Sequence, residues 1–176
     1  SPAGMGVFDR LLSLEAEHPD GVIERLLEHR FDGDFQLEGV EGPRTVRLRG
    51  IADRVDLLEG NRGRGIDYKT GGVPGRGRAL QLPVYGRCAE QELTRRVGRP
   101  WTIESAAYVA FGEARPWVSL ERNQQIGKAV AEGERRFLEA VDGIERGQFL
   151  VRPDQPRLCV YCEYPTVCRK DYVGDD

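Results

Sequence analysis

The fold is decided by residues 48–71, which read LRGIADRVDLLEGNRGRGIDYKTG. Strand-forming runs at 45–58 and 64–70 flank the turn-forming residues EGNRG at 59–63. Glycine and asparagine between two such runs are typical of a tight turn. The stretch therefore predicts a β-hairpin.

The second strand of this hairpin ends in Asp67, Tyr68 and Lys69. Because side chains alternate along a strand, Asp67 and Lys69 should share one face of the sheet while Tyr68 takes the other. The hairpin can set Asp53 beside Asp67. Carboxylates on the inner part of a sheet need pairing or a metal, and hard oxygen ligands favour Mg²⁺ or Mn²⁺. Asp56 should face away from Asp53, as a structural group or a partner for an arginine.

Charge is distributed unevenly along the 176 residues, whose formal net charge is -3. Residues 42–100 carry 13 Lys and Arg against 6 Asp and Glu, whereas the rest of the chain is acidic. A basic middle that holds the candidate site suits an enzyme acting on a polyanion, although such asymmetry also arises by chance in a charged chain. With no apolar run of 18 residues and no signal-peptide pattern, we expect a cytoplasmic protein without membrane contact.

Before the hairpin, apolar residues follow helical spacing in two runs separated by Pro-Asp-Gly at 19–21, which predicts two amphipathic helices. The runs are Val7, Phe8, Leu11, Leu12 and Leu14, then Val22, Ile23, Leu26 and Leu27. Residues 35–40 predict an edge strand.

After the hairpin, the pattern predicts a helix at 80–97, a central apolar strand at 101–111, a further strand at 115–120 and a long core-packed helix near 126–144. These elements predict an α/β fold with a central mixed sheet and helices on both faces. We expect the core to span residues 1–150 and a cysteine-rich segment to span residues 151–176.

The loop after the hairpin, GGVPGRGR at 71–78, is flexible and basic. Glycines allow close approach to a phosphate, and Arg76 and Arg78 supply charge for a nucleic-acid backbone, although an ordinary surface loop would read similarly. In the helix that follows, Gln81 and Tyr85 share a face. Cys88 falls on that face too, so it should pack near the sheet.

Three cysteines lie close together near the end of the chain, at Cys159, Cys162 and Cys168. Without a secretory signal, a metal or cluster site explains them better than disulfides do. Three thiolates still need a fourth ligand. Spacing alone does not separate zinc from an iron-sulfur cluster.

An Asp in a G-x-x-D-R-x-D strand, followed 14 residues later by D-Y-K-T-G, resembles the PD-(D/E)xK nuclease superfamily and, within it, the RecB/AddB-like nuclease domains. The residues QLPVY at 81–85 resemble the Q-x-x-x-Y helix motif of these domains, and the C-terminal cysteines resemble their cysteine cluster. The motifs of this family occur in the same order in this chain, from about residue 28 to residue 170. The resemblance implies a restriction-endonuclease-like core.

For the site, the resemblance implies that Asp53 and Asp67 hold Mg²⁺ or Mn²⁺ with the backbone carbonyl of Tyr68. Lys69 then orients the attacking water or neutralises developing charge. Gln81 and Tyr85 position the DNA strand or the lysine. A glutamate before the first strand completes some sites of this superfamily, and the closest match is Glu28, which otherwise reads as a solvated group on a helix end.

The chain departs from the RecB-like pattern at its first helix, where that group has G-x-x-x-H with a metal-binding histidine. Here Gly4 is followed by Phe8 at that spacing, and neither of the two histidines, His18 and His29, stands at that spacing. The departure puts one metal ligand, and with it the rate of catalysis, in question.

For the tail, the resemblance implies a [4Fe–4S] cluster whose fourth cysteine precedes the nuclease core. Because the sequence has no cysteine before Cys88, we expect the start to have been trimmed, with a contribution from Cys88 or an incomplete site as alternatives. Zinc is the competing metal.

These features predict a metal-dependent DNA nuclease, an exonuclease domain of a RecB/AddB-like recombination and repair protein that works with a helicase domain or subunit. One alternative is a nuclease-fold module that binds DNA with weakened or no catalysis. Another is a zinc-knuckle interaction domain whose carboxylates form structural ion pairs.

Overall fold

The fold was analysed in a computed structural model that describes residues 6–18, 21–121, 125–149, 156–165 and 167–168. A first helix precedes a three-stranded meander, and a helix, two strands and a last helix follow it. In chain order they are α1 (Val7–Glu17), β1 (Val22–Gly39), β2 (Gly42–Leu58), β3 (Arg62–Lys69), α2 (Gln81–Val97), β4 (Thr102–Ala110), β5 (Trp117–Ser119) and α3 (Ile126–Glu145).

The five strands form one mixed sheet in the order β1-β2-β3-β4-β5. The pairs β1–β2, β2–β3 and β4–β5 are antiparallel, and β3–β4 is parallel. A parallel pair needs a crossover connection, which α2 supplies between β3 and β4. The predicted mixed sheet is confirmed, with β4 inside it as its apolar sequence indicated.

The predicted hairpin is formed by β2 and β3, in register from Leu58↔Arg62 to Arg54↔Ile66. Its turn contains Gly60 at φ 74° and Asn61 at φ 57°, values that these two residue types adopt more readily than others. The preceding part of β2 continues in register with β1 as far as Gly42. The sheet therefore forks at Arg54, where β2 and β3 separate.

The second predicted N-terminal helix is wrong, because its residues begin the long edge strand β1. The spacing of its apolar residues suits one face of a helix. However, pairing with β2 along most of its length satisfies the backbone groups of this segment that point toward β2. Leu26 then packs on the core while Ile23 and Leu27 stay exposed, so tertiary pairing overrides local periodicity.

Helices cover both faces of the sheet. On one face, α2 contributes Val84 and Leu93 to a core that also contains Phe31 and Leu57. On the other face, Leu14 of α1 packs with residues of β3 and β4. The N-terminal part of α3 lies against α2 so closely that a Cβ on Gly133 would stand 2.3 Å from the Pro83 Cβ, which explains the glycine.

The chain divides into two compact units, Ser1–Leu138 and Glu139–Asp176, so the division lies within α3. The expected boundary after residue 150 stays a prediction. Within the described ranges, the helices are too short or too polar to cross a membrane.

Candidate active site

The candidate site lies at the fork, where Asp53 of β2 faces the end of β3. The backbone N–H of Tyr68 donates to Asp53 Oδ2 at 2.8 Å, just beyond the last backbone pair, Arg54↔Ile66. The Asp53 carboxylate thus continues the contact between the two strands as they part. The contact holds Asp53 next to Asp67, as the sequence predicted.

Asp67 is only 3% exposed, so its negative charge is poorly solvated. Burial raises the pKa of this carboxyl above its ordinary value, the Lys69 ammonium opposes the shift, and the nearby charge of Asp53 adds to it. Lys69 Nζ stands 2.6 Å from Asp67 Oδ2. A cation placed between the two carboxylates would relieve this unfavourable charge.

Lys69 is held from several sides. Besides its ion pair with Asp67, its Nζ donates to Gln81 Oε1 at 3.4 Å and lies 5.9 Å from the centre of the Tyr108 ring. Gln81 reaches the lysine because it begins α2, which starts beside the end of β3. Tyr108 is opposite Asp67 in the β3–β4 register. The sequence analysis missed Tyr108, because only that pairing of distant strands reveals it.

Tyr85 lies one helical turn beyond Gln81 and is half-buried. Its ring packs edge-on against Phe31, with centroids 4.9 Å apart. A small cavity beside the carboxylates is lined by Asp53, Asp67 and Tyr85, among other residues. The structure therefore brings Tyr85 close to the carboxylates, while its ring packs on Phe31.

Tyr68 points to the other face of the sheet, as alternation predicts. There its hydroxyl accepts a hydrogen bond from Arg54 Nη1 at 3.1 Å. Arg54 also pairs with Glu15 of α1 and with Asp56, at 2.6 Å from Nε to Oδ1 of the latter. Arg64 Nη2 donates to Asp56 Oδ2 at 2.7 Å. A buried ion network thus lies directly behind the candidate site and ties α1 to the hairpin.

The network confirms Asp56 as an arginine partner. Burial favours the neutral acid, but hydrogen bonds from Arg54 and Arg64 outweigh that effect and lower the pKa of the Asp56 carboxyl. The hairpin register alone places Arg64 opposite Asp56, so the sequence held this signal. Glu15 arrives from a helix remote in sequence, and nothing local indicates it.

Glu28 is an exposed residue within β1, so its interpretation as the end of a helix is wrong. It lies between the pairs Leu27↔Arg54 and His29↔Ala52, which puts it across from Asp53 on the neighbouring strand. Its φ of 48° interrupts the regular strand at this point. A role as a metal ligand stays a prediction.

The histidines make other contacts. His18 stacks on Trp117 with ring centres 3.9 Å apart, and His29 Nε2 is 3.3 Å from Glu92 Oε2. Phe8 is 70% exposed on α1, and Gly4 lies outside the described residues. Within the described ranges, no group of three or more His, Cys, Asp or Glu is arranged to hold a metal. The donors at the fork are the two carboxylates, which are hard oxygen ligands of the kind that Mg²⁺ and Mn²⁺ prefer.

The basic loop ends in a tight turn in which the N–H groups of Arg78 and Ala79 donate to the Gly75 carbonyl at 2.7 and 3.1 Å. Arg136 of α3 donates to the Ala79 carbonyl at 2.9 Å, which fixes the end of the loop. Contact of Arg76 and Arg78 with DNA stays a prediction.

The cysteines fall in different surroundings. Cys88 is fully buried in the core beneath α2, as its helix face predicted, and burial raises the pKa of its thiol to about 12. In the second unit, Cys159, Cys162 and Cys168 are free thiols. There the Cys162 N–H donates to the Cys159 carbonyl at 3.2 Å, and the Tyr164 N–H points to Cys162 Sγ at 3.4 Å. A cluster at these cysteines stays a prediction.

Comparison with known proteins gives one family. A sequence model of the PD-(D/E)XK nuclease superfamily matches residues 7–169. No curated protein matches the chain at a significant level. Eleven chains of solved structures match it. One of these, titled "Crystal structure of SSO0001", is 16% identical, with 92% of this chain and 68% of that chain covered and a TM-score of 0.45.

Proposed function

The chain belongs to the PD-(D/E)XK nuclease superfamily, and we propose that it is a Mg²⁺- or Mn²⁺-dependent deoxyribonuclease that hydrolyses phosphodiester bonds at the fork of its sheet. One observation carries the proposal. The fork sets Asp53 next to the buried Asp67 and puts the Lys69 ammonium 2.6 Å from the Asp67 carboxylate. Carboxylates can hold the metal that assists phosphodiester hydrolysis, and a lysine can stabilise the charge that develops on the phosphate.

The residues at the fork fit a divalent cation. Asp53, Asp67 and the backbone carbonyl of Tyr68 would hold it, and Glu28 is a further candidate across from Asp53. When bound, such a cation lowers the pKa of a water molecule and offsets charge on the phosphate. The Tyr68 N–H keeps the Asp53 carboxylate oriented toward the fork, which reduces the rearrangement that binding needs.

Lys69 supplies a mobile positive charge beside the carboxylates. Its Nζ can donate a hydrogen bond to the attacking water or to a phosphate oxygen on which charge develops. Gln81 accepts from that same Nζ and limits where it can go. Tyr85, along the helix from Gln81, would line the path of the DNA strand.

We infer further that the chain is an exonuclease domain of the RecB/AddB-like kind, acting with a helicase in recombination and repair. The order of its motifs, from the D-R-x-D strand to the C-terminal cysteines, supports this proposal. End-labelled linear DNA and covalently closed circular DNA should be incubated with Mg²⁺ or Mn²⁺, and with EDTA as the control. We expect loss of the linear substrate alone. Cleaved circles would indicate an endonuclease, and two intact substrates would contradict the nuclease proposal.

The exposed Phe8, in place of a histidine on α1, favours a second candidate, a nuclease-fold module that binds DNA without cutting it. Binding to DNA in EDTA without cleavage in either metal would support it. Neither binding nor cleavage would instead favour the zinc-knuckle interaction domain.

The basic loop provides a prediction about affinity. Replacing Arg76 and Arg78 together with alanine should weaken DNA binding equally for all sequences, because phosphate contacts carry no base information. The slope of log K against log salt should flatten by up to about 2 units, since each lost phosphate contact contributes about 0.9. Binding measured at several salt concentrations on two unrelated sequences tests this.

A matched control replaces with alanine two exposed arginines, Arg96 near the C-terminal end of α2 and Arg99 just after that helix. The helix α2, which rises roughly 1.5 Å per residue, separates these arginines from the basic loop. The control therefore removes the same charge as the loop variant without changing the loop. An equal change of slope in both double variants would show that the loop has no specific role.

The tail gives a prediction about metal content. We propose that Cys159, Cys162 and Cys168 contribute to a [4Fe–4S] or zinc site that needs a further ligand. Three thiolates leave one position of a tetrahedral site open, and an exposed cluster is lost in air, so the 176 residues alone should purify with little iron. Metal and sulfide analysis after anaerobic purification measures it. Near four irons per chain would contradict the prediction, and one zinc per chain would show that the cysteines form a zinc site.

A further inference from the structure

Tyr108 is placed beside the candidate site by the central strands of the sheet. It is paired with Asp67 in the parallel register of β3 and β4, so both side chains lie on the face covered by α2. The ring is only 2% exposed and packs among Ala79, Leu82 and Leu120. A side chain buried in this way keeps a fixed orientation.

The face of this ring is directed at the Lys69 ammonium, with Nζ 5.9 Å from the ring centre. The face of an aromatic ring carries negative electrostatic potential and attracts a cation within about 6 Å. Because the Lys69 side chain is 30% exposed, the contact is partly shielded from water. Its attraction therefore exceeds that of a fully solvated pair.

The contact matters most when Asp67 binds a metal. Without metal, Lys69 Nζ is 2.6 Å from Asp67 Oδ2, and this ion pair holds the ammonium. A carboxylate oxygen that binds a divalent cation attracts a neighbouring ammonium less, since the cation repels it. Gln81 and the Tyr108 ring then remain as the groups that hold Lys69.

We propose that Tyr108 is a positioning residue, whose ring face holds the Lys69 ammonium at the fork while Asp67 binds the metal. The inference rests on the proposed nuclease function. It assigns the role to the ring and not to the hydroxyl. The Tyr108 Oη is buried without a hydrogen-bond partner within the described ranges. Burial, and after it the charge of Asp67, raise the pKa of Tyr108 to about 12, so the phenol stays neutral.

The kinetic test compares phenylalanine and pentafluorophenylalanine at position 108. Both keep the shape of the ring, and fluorination reverses the charge on its face. Tyr108→Phe should keep kcat within about twofold, whereas the fluorinated ring should lower kcat about tenfold, the order expected for loss of a partly desolvated cation–π contact. KM for DNA should change by less than about twofold in both variants, since Lys69 rather than DNA contacts the ring.

A second readout needs no DNA and is recorded with saturating Mg²⁺, because without metal the ion pair with Asp67 alone would hold the Lys69 ammonium. The chain has three lysines, Lys69, Lys128 and Lys170, so ¹³C-lysine labelling gives only three ε-methylene signals to assign. The Lys69 signal should be shifted upfield by the ring current in the native protein and in Tyr108→Phe. In the fluorinated variant with Mg²⁺ bound, the ammonium should leave the ring and the upfield shift of the Lys69 signal should disappear.

The two readouts separate the possible failures. Unchanged kcat and an unchanged Lys69 shift in the fluorinated variant would overturn the positioning role. An equal loss of kcat in Tyr108→Phe would also overturn it, because the hydroxyl would then be the acting group. If the native protein cleaves no DNA, the proposed function fails, while the NMR shift still tests the contact between Lys69 and Tyr108.

Discussion

Replacing Asp67 with asparagine should abolish metal-dependent DNA cleavage, lowering kcat by at least about a hundredfold. The substitution keeps the shape of the side chain but removes the negative charge that would bind the cation. Lys69→Ala should have a comparable effect, because it removes the ammonium that pairs with Asp67 at the fork. Initial rates on linear DNA with saturating Mn²⁺ measure both.

Asp67→Asn should leave thermal stability without metal unchanged or raise it. The pKa of Asp67 is raised on folding, mainly by burial, so the unfolded chain loses its proton at a lower pH than the folded chain. The native protein should therefore lose stability as pH rises from the ordinary carboxyl value of 3.8 through the raised folded pKa. The asparagine variant lacks this dependence, and melting curves in EDTA across this range reveal the difference.

Asp32 offers a matched control for the loss of a carboxylate. It is exposed on β1 and pairs with Arg47 at 2.8 Å, away from the fork. Asp32→Asn should keep full activity and the native pH dependence of stability. Full activity in Asp67→Asn or in Lys69→Ala would remove the assignment of the active site to the fork.

The hairpin and the alternation of Asp67, Tyr68 and Lys69 could be predicted from the sequence because their causes are local. Turn residues define where the chain reverses, and a period of two decides which side chains share a face. The strand β1 could not be predicted in this way. Its apolar residues suit a helix as well as a strand, and only its pairing with β2 decides between them.

The same distinction between local and distant contacts applies to the candidate site. Asp53 and Asp67 were found because the hairpin joins them within one stretch of sequence. Tyr108 and Glu15 come from β4 and α1, and each meets the hairpin through contacts between segments far apart in the chain. A residue that supports a site from a remote element leaves no periodic signal beside the motif.

Breaking the buried network behind the site should lower stability strongly. Asp56 is fully buried and accepts hydrogen bonds from Arg54 and Arg64 at distances of 2.6 to 3.2 Å. Asp56→Ala leaves the positive charge of two buried guanidinium groups without this partner. Breaking a buried ion pair in this way costs about 3 to 5 kcal/mol of the free energy of unfolding. For a chain of this size the melting temperature should fall by about 10 °C.

Urea unfolding of Asp56→Ala and Asp32→Ala shows whether a loss of stability comes from the burial of the carboxylate or from the loss of its charge alone. Both variants lose one carboxylate that pairs with arginine, but the Asp32 side chain is 53% exposed and its replacement should change the free energy of unfolding by less than about 0.5 kcal/mol. The pKa of Asp56 is lowered on folding, so its contribution is present above the ordinary carboxyl value of 3.8 and is lost as pH falls through the lowered folded pKa. The difference in the free energy of unfolding between the native protein and Asp56→Ala should therefore become smaller in strong acid. Equal unfolding midpoints for the two alanine variants at pH 7 would show that the network does not hold α1 and the hairpin together.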